Sequence, residues 1–307
     1  MILTITMNPA LDKSTTVDKI FPEKKLRCAA PVTEAGGGGI NASKAIRELG
    51  GESIAFYPAG GANGARLQEI LTAAGIRSTV VPLKGETREN ITITELSHNQ
   101  QFRFVMPGPA LDQEDVERCL AAIEAIQPVP HIIVASGSLP PGVPNDFLAQ
   151  LAALCRRKGA KLIADTSGEP LLQAAGKGIY LLKPNMSELC SLAGKEYLEL
   201  DSVTEEARKV IDKGYCEVLV ISMGPAGALL VTKEMSERIS APAVKKRTAV
   251  GAGDSMVGGM AWMLDKGEPL PRAVRFGVAC GTAATMNAGT QLFKKEDVYR
   301  LYEWIGH

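Results

Sequence analysis

The chain has 307 residues, with 34 Lys or Arg against 34 Asp or Glu, so its formal charge at pH 7 is zero. That balance removes the uniform field on which sequence-blind nucleic-acid binders rely, and leaves room only for a local basic pocket. Hydrophobic residues at 45% and charged residues at 22% exclude wholesale disorder. No apolar run approaches the roughly 18 residues of a membrane span. Met1-Ile2-Leu3-Thr4-Ile5-Thr6 carries no basic leader, and Asp12 follows too soon for a secretory signal. A cytoplasmic protein without nucleic-acid or membrane partners is expected. The six cysteines stand singly and the three histidines are scattered, so metal binding through thiolate or imidazole is not signalled.

In chain order, Lys13–Thr33 is Thr-rich and basic, with too few apolar positions for a buried strand. Ala35-Gly36-Gly37-Gly38-Gly39-Ile40-Asn41 then leads into a helical stretch, Ala42–Leu49. Four consecutive glycines are costly to order, so they imply a backbone that approaches something closely, with Asn41 as a candidate helix cap. The loop fits neither a dinucleotide fingerprint nor a Walker A sequence.

Short apolar runs follow at Ser53–Ala59, His131–Ser136, Lys161–Asp165, Ile179–Leu182, Val218–Ser222 and Ala228–Thr232. Their Ile, Val, Leu and Ala suit strands covered on both faces. Asn145–Lys158 and Thr204–Lys213 carry helical spacing between them. Strand, helix, strand at this rhythm predicts crossover units and a mainly parallel sheet. Asn90–Met106 alternates with period two around the turn Ser97-His98-Asn99, which predicts a hairpin. With Lys13–Thr33 it forms a small extra layer, read as a lid.

Lys183-Pro184-Asn185-Met186-Ser187-Glu188 starts at a strand's carboxyl end, where open α/β sheets place ligands. Asn185 and Glu188 are three apart, and such a pair can hold water ligands of Mg²⁺. Ser222-Met223-Gly224-Pro225-Ala226-Gly227 ends another strand with a polar, glycine-rich turn suited to nucleotide phosphates. The sharpest signal is Thr248-Ala249-Val250-Gly251-Ala252-Gly253-Asp254-Ser255, ahead of the helical stretch Met256–Leu264. Gly251, Ala252 and Gly253 leave N–H groups uncovered at a helix N-terminus, where negative charge is favoured. Asp254 at the same mouth can accept a proton from an attacking hydroxyl. The plainer alternative is an Asp-capped helix.

These residues resemble the ribokinase-like, or PfkB, family of carbohydrate kinases, from Leu3 to Leu301. Gly36–Asn41 is similar to its N-terminal signature, Thr248–Gly259 to its C-terminal one, and Lys183–Glu188 to its Lys-Pro-Asn-x-x-Glu segment. Within the family, Pro22–Cys28, Arg103–Gly108, Ser136–Gly142 and Val250–Gly258 look most like the bacterial 6-phosphofructokinases of this type.

The resemblance implies one ribokinase-like domain over 1–307: a three-layer α/β/α sandwich with a mainly parallel sheet and a small antiparallel β lid, about 13–34 and 89–107. It implies a homodimer clasped through the lids. It also implies transfer of the ATP γ-phosphoryl to fructose 6-phosphate or a related sugar phosphate, with Mg²⁺. Asp254 would be the base and Gly251, Ala252 and Gly253 the anion hole. Asp12, Gly37, Gly38 and Asn41 would grip sugar hydroxyls, while Lys25, Arg27 and Arg88 meet the substrate's own phosphate, and Ser138 would be a further substrate-binding residue. Lys183, Asn185, Ser222, Gly224 and Gly227 fall on the nucleotide side, and Glu188 on the Mg²⁺-linked position. A monovalent cation such as K⁺ would sit near Thr248, Val250, Ala284, Asn287 and Gly289.

A phosphorylated substrate also agrees with the charges: Lys24, Lys25, Arg27 and Arg88 supply cations that a neutral sugar would not need. Fructose 1-phosphate and tagatose 6-phosphate remain alternative acceptors. A non-catalytic binding module is the alternative of another class, though it would have no use for a carboxylate beside the transferring phosphoryl.

Overall fold

The computed structural model describes residues 1–287 and 292–306. In its first part run β1 (Ile2–Ile5), β2 (Ala10–Val17), β3 (Val32–Gly36), α1 (Gly38–Glu48), β4 (Ser53–Ala59), α2 (Gly61–Ala73), β5 (Arg77–Pro82), β6 (Arg88–Glu95) and β7 (Gln100–Phe104). The middle holds α3 (Gln113–Ala125), β8 (Ile132–Ser136), α4 (Phe147–Lys158), β9 (Lys161–Asp165), α5 (Gly168–Ala174), β10 (Ile179–Leu182), α6 (Met186–Ala193) and α7 (Val203–Asp212). Then come β11 (Cys216–Ser222), β12 (Ala228–Val231), β13 (Ser236–Ile239), α8 (Ala252–Asp265), α9 (Leu270–Thr285) and α10 (Lys295–Ile305).

Nine strands form the main sheet in the order β13-β12-β11-β10-β9-β8-β1-β4-β5. From β11 to β5 every pairing is parallel, while β12 and β13 add antiparallel partners at one edge. Alternation along each strand sends side chains to two separate cores. Leu3, Ile133, Leu162 and Leu219 pack with α3 to α7 on one face; Ile2, Val134, Ile163 and Val220 pack with α1, α8, α9 and α10 on the other. The sheet is therefore the middle of three layers. Both faces being covered is why these runs read as continuously apolar rather than alternating.

The small sheet has the order β3-β2-β6-β7. Its outer pairs are antiparallel, and the central pair β2–β6 is parallel over eight positions, Ala10↔Arg88 to Val17↔Glu95. Lys13–Thr33 is not one irregular piece. Its start belongs to β2, which half-buries Lys13 to Thr16 against β6, and a hydrogen-bonded partner replaces the apolar burial that the sequence lacks. Phe21 to Ala30 are all exposed, and this segment returns to β2 through Ala29 N–H to Thr16 O at 2.9 Å.

Chain order reverses at β1: β4 and β5 lie to one side, and β8 onward to the other. The crevice at the carboxyl ends of β1 and β8 is thus the expected ligand position. Among the described residues, no helix is long and apolar enough to cross a membrane.

Candidate functional site

The four-glycine loop enters this crevice. The helix begins earlier than its apolar pattern indicated, at Gly38, with Gly37 as N-cap at φ 121°. Asn41 is accordingly no cap. It lies in the helix, and its Nδ2 donates to Asp254 Oδ2 at 2.9 Å. The glycines are explained by neighbours: a Cβ on Gly36 would collide with the Asp12 carboxylate, on Gly38 with Ser136 Oγ, and on Gly39 with the Ile5 carbonyl. Thr6 Oγ1 fixes the loop by accepting from Ile40 N–H at 2.8 Å.

Opposite stands the N-terminus of α8. Gly251 is its N-cap, in a left-handed conformation at φ 72° that a glycine adopts freely. Asp254 therefore lies within the first helical turn rather than before it. Ser255 N–H returns to Gly251 O at 2.8 Å, so the N–H groups of Ala252, Gly253 and Asp254 are the donors that precede the first intrahelical bond. Such free N–H groups can receive an anion.

Asp254 is held from two sides, by Asn41 and by Ser136 Oγ, which donates to Oδ1 at 3.3 Å. Burial, then the nearby Asp165 carboxylate, push its pKa up to about 6. Asp165, at the end of β9, pairs with Lys183 at 3.2 Å, and that ammonium is buried. Burial raises the Asp165 pKa as well, against the pull of Lys183. Gly253 completes the cluster: a Cβ there would lie 3.5 Å from Lys183 Nζ and 3.8 Å from Asp165 Oδ2. Sequence reasoning missed Asp165 and Ser136. Each is the last residue of an apolar strand, which is the signal that could have found them.

Ser222, Gly224, Gly227, Ala252 and Gly253 share one cleft of about 450 Å³, bounded further by Pro242, Val244, Met256 and Val278. Glycine-rich strand-end loops together with an apolar wall suit a nucleotide's phosphates and base. Lys183 and Asn185 do not line it. Lys183 is committed to Asp165, and Asn185 bridges back to Ser222 from the next strand end. Asn185 and Glu188 also form a reciprocal cap on α6: Glu188 N–H donates to Asn185 Oδ1 at 2.9 Å, and Asn185 N–H to Glu188 Oε2 at 2.8 Å. Their spacing of three is thus satisfied by capping.

Around the lid, Asp12 accepts from Asn90 Nδ2 at 2.8 Å. Burial raises its pKa while Asn90, Lys44, Arg88 and Arg103 oppose the rise. Arg88 donates through Nη1 to Met106 O and through Nη2 to Asn8 O, each at 2.9 Å. Ser138 Oγ accepts from Asn8 Nδ2 at 3.3 Å. Lys25 and Arg27 are exposed, with no hydrogen-bond or ion-pair partner among the described residues, so one chain does not gather them into the Arg88 corner.

The candidate cation loop lies against the carboxyl end of α9. Arg247 and Thr248 N–H donate to Thr285 O at 2.8 and 3.2 Å, and Val250 N–H to Thr248 Oγ1 at 3.1 Å. Asn287 Nδ2 reaches the carbonyls of Ala283 and Leu292, with Ala284 buried between. A helix carboxyl end rich in carbonyls favours a cation. Gly289 lies outside the described residues.

With this geometry stand the likenesses to known proteins. The chain is 42% identical over 305 residues to the ATP-dependent 6-phosphofructokinase isozyme 2 of Escherichia coli, spanning 99% of this chain and 98% of that one. It is 30% identical to the 1-phosphofructokinase of Bacillus subtilis, over 96% of this chain and 97% of the other. Solved structures of Escherichia coli phosphofructokinase-2 superpose over 100% of this chain and 99% of theirs. The complex with substrates and products does so at a TM-score of 0.94 and 41% identity, the potassium complex at 0.94 and 40%, and the tetrameric inhibited form at 0.92 and 40%. The model of the pfkB family carbohydrate kinases matches residues 5–297. From its glycine loop to the helix that carries Asp254, the chain belongs to the pfkB family of carbohydrate kinases.

Proposed function

We propose that this protein is an ATP-dependent 6-phosphofructokinase, working in the cytoplasm, that carries the γ-phosphoryl of ATP to the C1 hydroxyl of fructose 6-phosphate. One observation carries the reading. Asp254, its pKa raised to about 6, sits on the α8 mouth between the nucleotide cleft and the lid, held by Asn41 and Ser136.

The sugar enters beneath the small sheet, where Asp12 and the backbone of Gly37 and Gly38 accept and donate to its hydroxyls. Arg88 and Ser138 face its phosphate, with Lys25 and Arg27 contributed by a lid, one set crossing from a partner subunit in a homodimer. ATP lies along the cleft of Ser222, Gly224 and Gly227. Asp254 takes the hydroxyl proton as the oxygen attacks the γ-phosphorus, and ADP leaves in line. The N–H groups of Ala252, Gly253 and Asp254 receive the charge on the transferring group, a contribution that exists before the reaction begins.

Mg²⁺ would be held mainly through its own waters and the phosphates. Among the described residues no three His, Cys, Asp or Glu side chains form a metal cage, and the Glu188 cap uses one carboxylate oxygen. The Glu188 pKa is raised, by burial and by Asp165, so negative charge is crowded here. Asn185 and Glu188 would hold the ion through its waters, with charge neutralisation on the phosphates as its contribution. K⁺ would take the carbonyls around Thr248, Val250, Ala284 and Asn287, beside the anion hole.

ADP release should be measured with fructose 6-phosphate, fructose 1-phosphate, tagatose 6-phosphate and fructose as acceptors. Release that is fastest with fructose 6-phosphate supports the assignment. Release led by fructose 1-phosphate or tagatose 6-phosphate moves the specificity, and none with any acceptor leaves only a binding module.

A further inference from the structure

Two groups assigned to the substrate's phosphate, Arg88 and Ser138, come from distant parts of the chain and meet through a single residue. Asn8 follows β1, Ser138 follows β8, and Arg88 opens β6. The backbone carbonyl of Asn8 accepts from Arg88 Nη2 at 2.9 Å, and its side-chain Nδ2 donates to Ser138 Oγ at 3.3 Å. Arg88 Nη1 is taken by Met106 O, so both terminal nitrogens of the fork are anchored to backbone. Asn8 itself is buried, at 6% exposure, whereas Ser138 is exposed.

The direction of the Asn8–Ser138 bond decides what Ser138 can do. A serine hydroxyl has one proton and two acceptor positions. Because Asn8 donates, Ser138 spends a lone pair and keeps its proton free for an anionic ligand. An acceptor in place of Nδ2 would take that proton and turn the oxygen's lone pairs toward the phosphate. A cationic donor would keep it but add charge. A neutral amide is the group that orients the hydroxyl without altering the local charge.

The other end of the amide points to the same conclusion. Asn8 Oδ1 is buried without a hydrogen-bond partner among the described residues, and so is Arg88 Nε. An unsatisfied buried carbonyl is a cost that an alanine would avoid, so its presence calls for a reason. Gly108 makes room for it: a Cβ there would collide with Asn8 Oδ1.

Resting on the sugar-phosphate kinase reading above, we propose that Asn8 is a positioning residue for phosphate recognition, whose side-chain amide polarises Ser138 as a donor next to the Arg88 fork that the same residue's backbone carbonyl holds. It touches neither the nucleotide cleft nor Asp254, so its influence falls on one substrate.

The test uses the full-length enzyme and steady-state kinetics with fructose 6-phosphate and ATP, on Asn8→Ala, Asn8→Asp, Ser138→Ala and the double variant Asn8→Ala/Ser138→Ala. Thermal melts identify folded variants, and the isosteric Asn8→Asp guards against collapse of the alanine site. Asn8→Ala and Ser138→Ala should each raise KM for the sugar phosphate by about tenfold, the range expected of a hydrogen bond to a charged group. The double variant should match Ser138→Ala within about twofold, because the two act through one hydroxyl. Asn8→Asp should raise that KM by about a hundredfold, since it takes the Ser138 proton and places like charge by the phosphate. KM for ATP should stay within about twofold throughout. Full additivity in the double variant, an unmoved sugar-phosphate KM, or equal losses for both substrates would each overturn the Asn8 role. Turnover by the wild type together with a Ser138→Ala effect would in that case leave the kinase reading standing. A wild-type protein inactive on every sugar phosphate would remove both.

Discussion

Asn41 Nδ2 donates to Asp254 Oδ2 at 2.9 Å although 213 residues of chain separate the two. The bond ties the first turn of α8 to the helix that follows the glycine loop, so Asp254 and that loop are placed as one unit. It also favours the ionised carboxylate, yet burial and Asp165 outweigh it and the pKa stands near 6. A carboxylate with such a pKa would be poised to act as a base near neutral pH.

Asp254→Asn should abolish turnover, by about 10²–10⁴-fold or more, with nucleotide affinity largely kept. The wild-type kcat/KM should fall on the acid side, through a pKa near 6, as Asp254 of the free protein takes up its proton. The stability effect has the opposite sign. A raised carboxyl pKa means that the folded state binds more protons than the unfolded chain between the ordinary aspartate value of 3.8 and about 6, so Asp254 lowers stability as pH rises through that window. The Asn variant should therefore melt a few degrees higher at pH 8, with the gain shrinking toward pH 4. Retention of half the wild-type kcat would remove the base assignment.

Gly253→Val should lower kcat by about 10²-fold or more while the fold survives. The position is helical without a positive φ, so backbone strain is not the mechanism. A Cβ alone fits at 3.5 Å from Lys183 Nζ, but the valine methyls would press on the Lys183–Asp165 pair and cover the adjacent N–H groups. Gly253→Ala should be the milder variant. Measuring kcat beside Tm separates the two effects, and an unchanged kcat in folded Gly253→Val would exclude the anion-hole role.

How far the sequence carried these conclusions depended on what each residue faces. The apolar strands were legible because both sheet faces are covered, and Ser53–Ala59, Lys161–Asp165 and Ile179–Leu182 appear with the boundaries read from them. The glycine run announced a close approach, but only tertiary structure supplies the partners, Asp12 and Ser136. At both glycine loops the apolar period begins later than the helix, because glycines carry no such period, although Gly38 and Ala252 are already helical. Asn185 and Glu188 illustrate the opposite hazard. Their spacing suits a metal's waters and a capping box alike, and the box is what forms.

Lid association should be visible in solution. Ile91 pairs with Phe104 and Ile93 with Phe102, giving one apolar stripe along the hairpin. Phe102, Phe104, Val105 and Met106 are 36%, 48%, 61% and 42% exposed, more apolar area than a free edge ordinarily shows. Light scattering at micromolar concentration should give a dimer or a higher multiple. Phe104→Glu should shift it toward monomer and weaken sugar-phosphate binding more than ATP binding. A fully active wild-type monomer would contradict the lid contact.

Arg27→Ala and Arg88→Ala should each raise KM for fructose 6-phosphate sharply and leave KM for ATP nearly unchanged. Neither guanidinium lines the cleft of Ser222, Gly224 and Gly227 proposed for ATP. A charged hydrogen bond to phosphate is worth about 1.5–3 kcal/mol, so each deletion should cost about ten- to a hundredfold in kcat/KM. The two should differ in stability. Arg88 is tied to the carbonyls of Met106 and Asn8, so its removal also loosens the corner where the lid meets β1 and should lower Tm. Arg27 is exposed and lacks a partner among the described residues, so Arg27→Ala should melt like the wild type. If Arg27 reaches the phosphate across a subunit boundary, its effect on KM should disappear once Phe104→Glu has separated the subunits. Raised ionic strength should weaken sugar-phosphate binding too, because the cations meet solvent. Loss of ATP affinity with sugar affinity intact would reverse the two ends of the cleft. If neither KM moves, Arg27 and Arg88 are surface charge, and the phosphate preference must come from other groups such as Ser138.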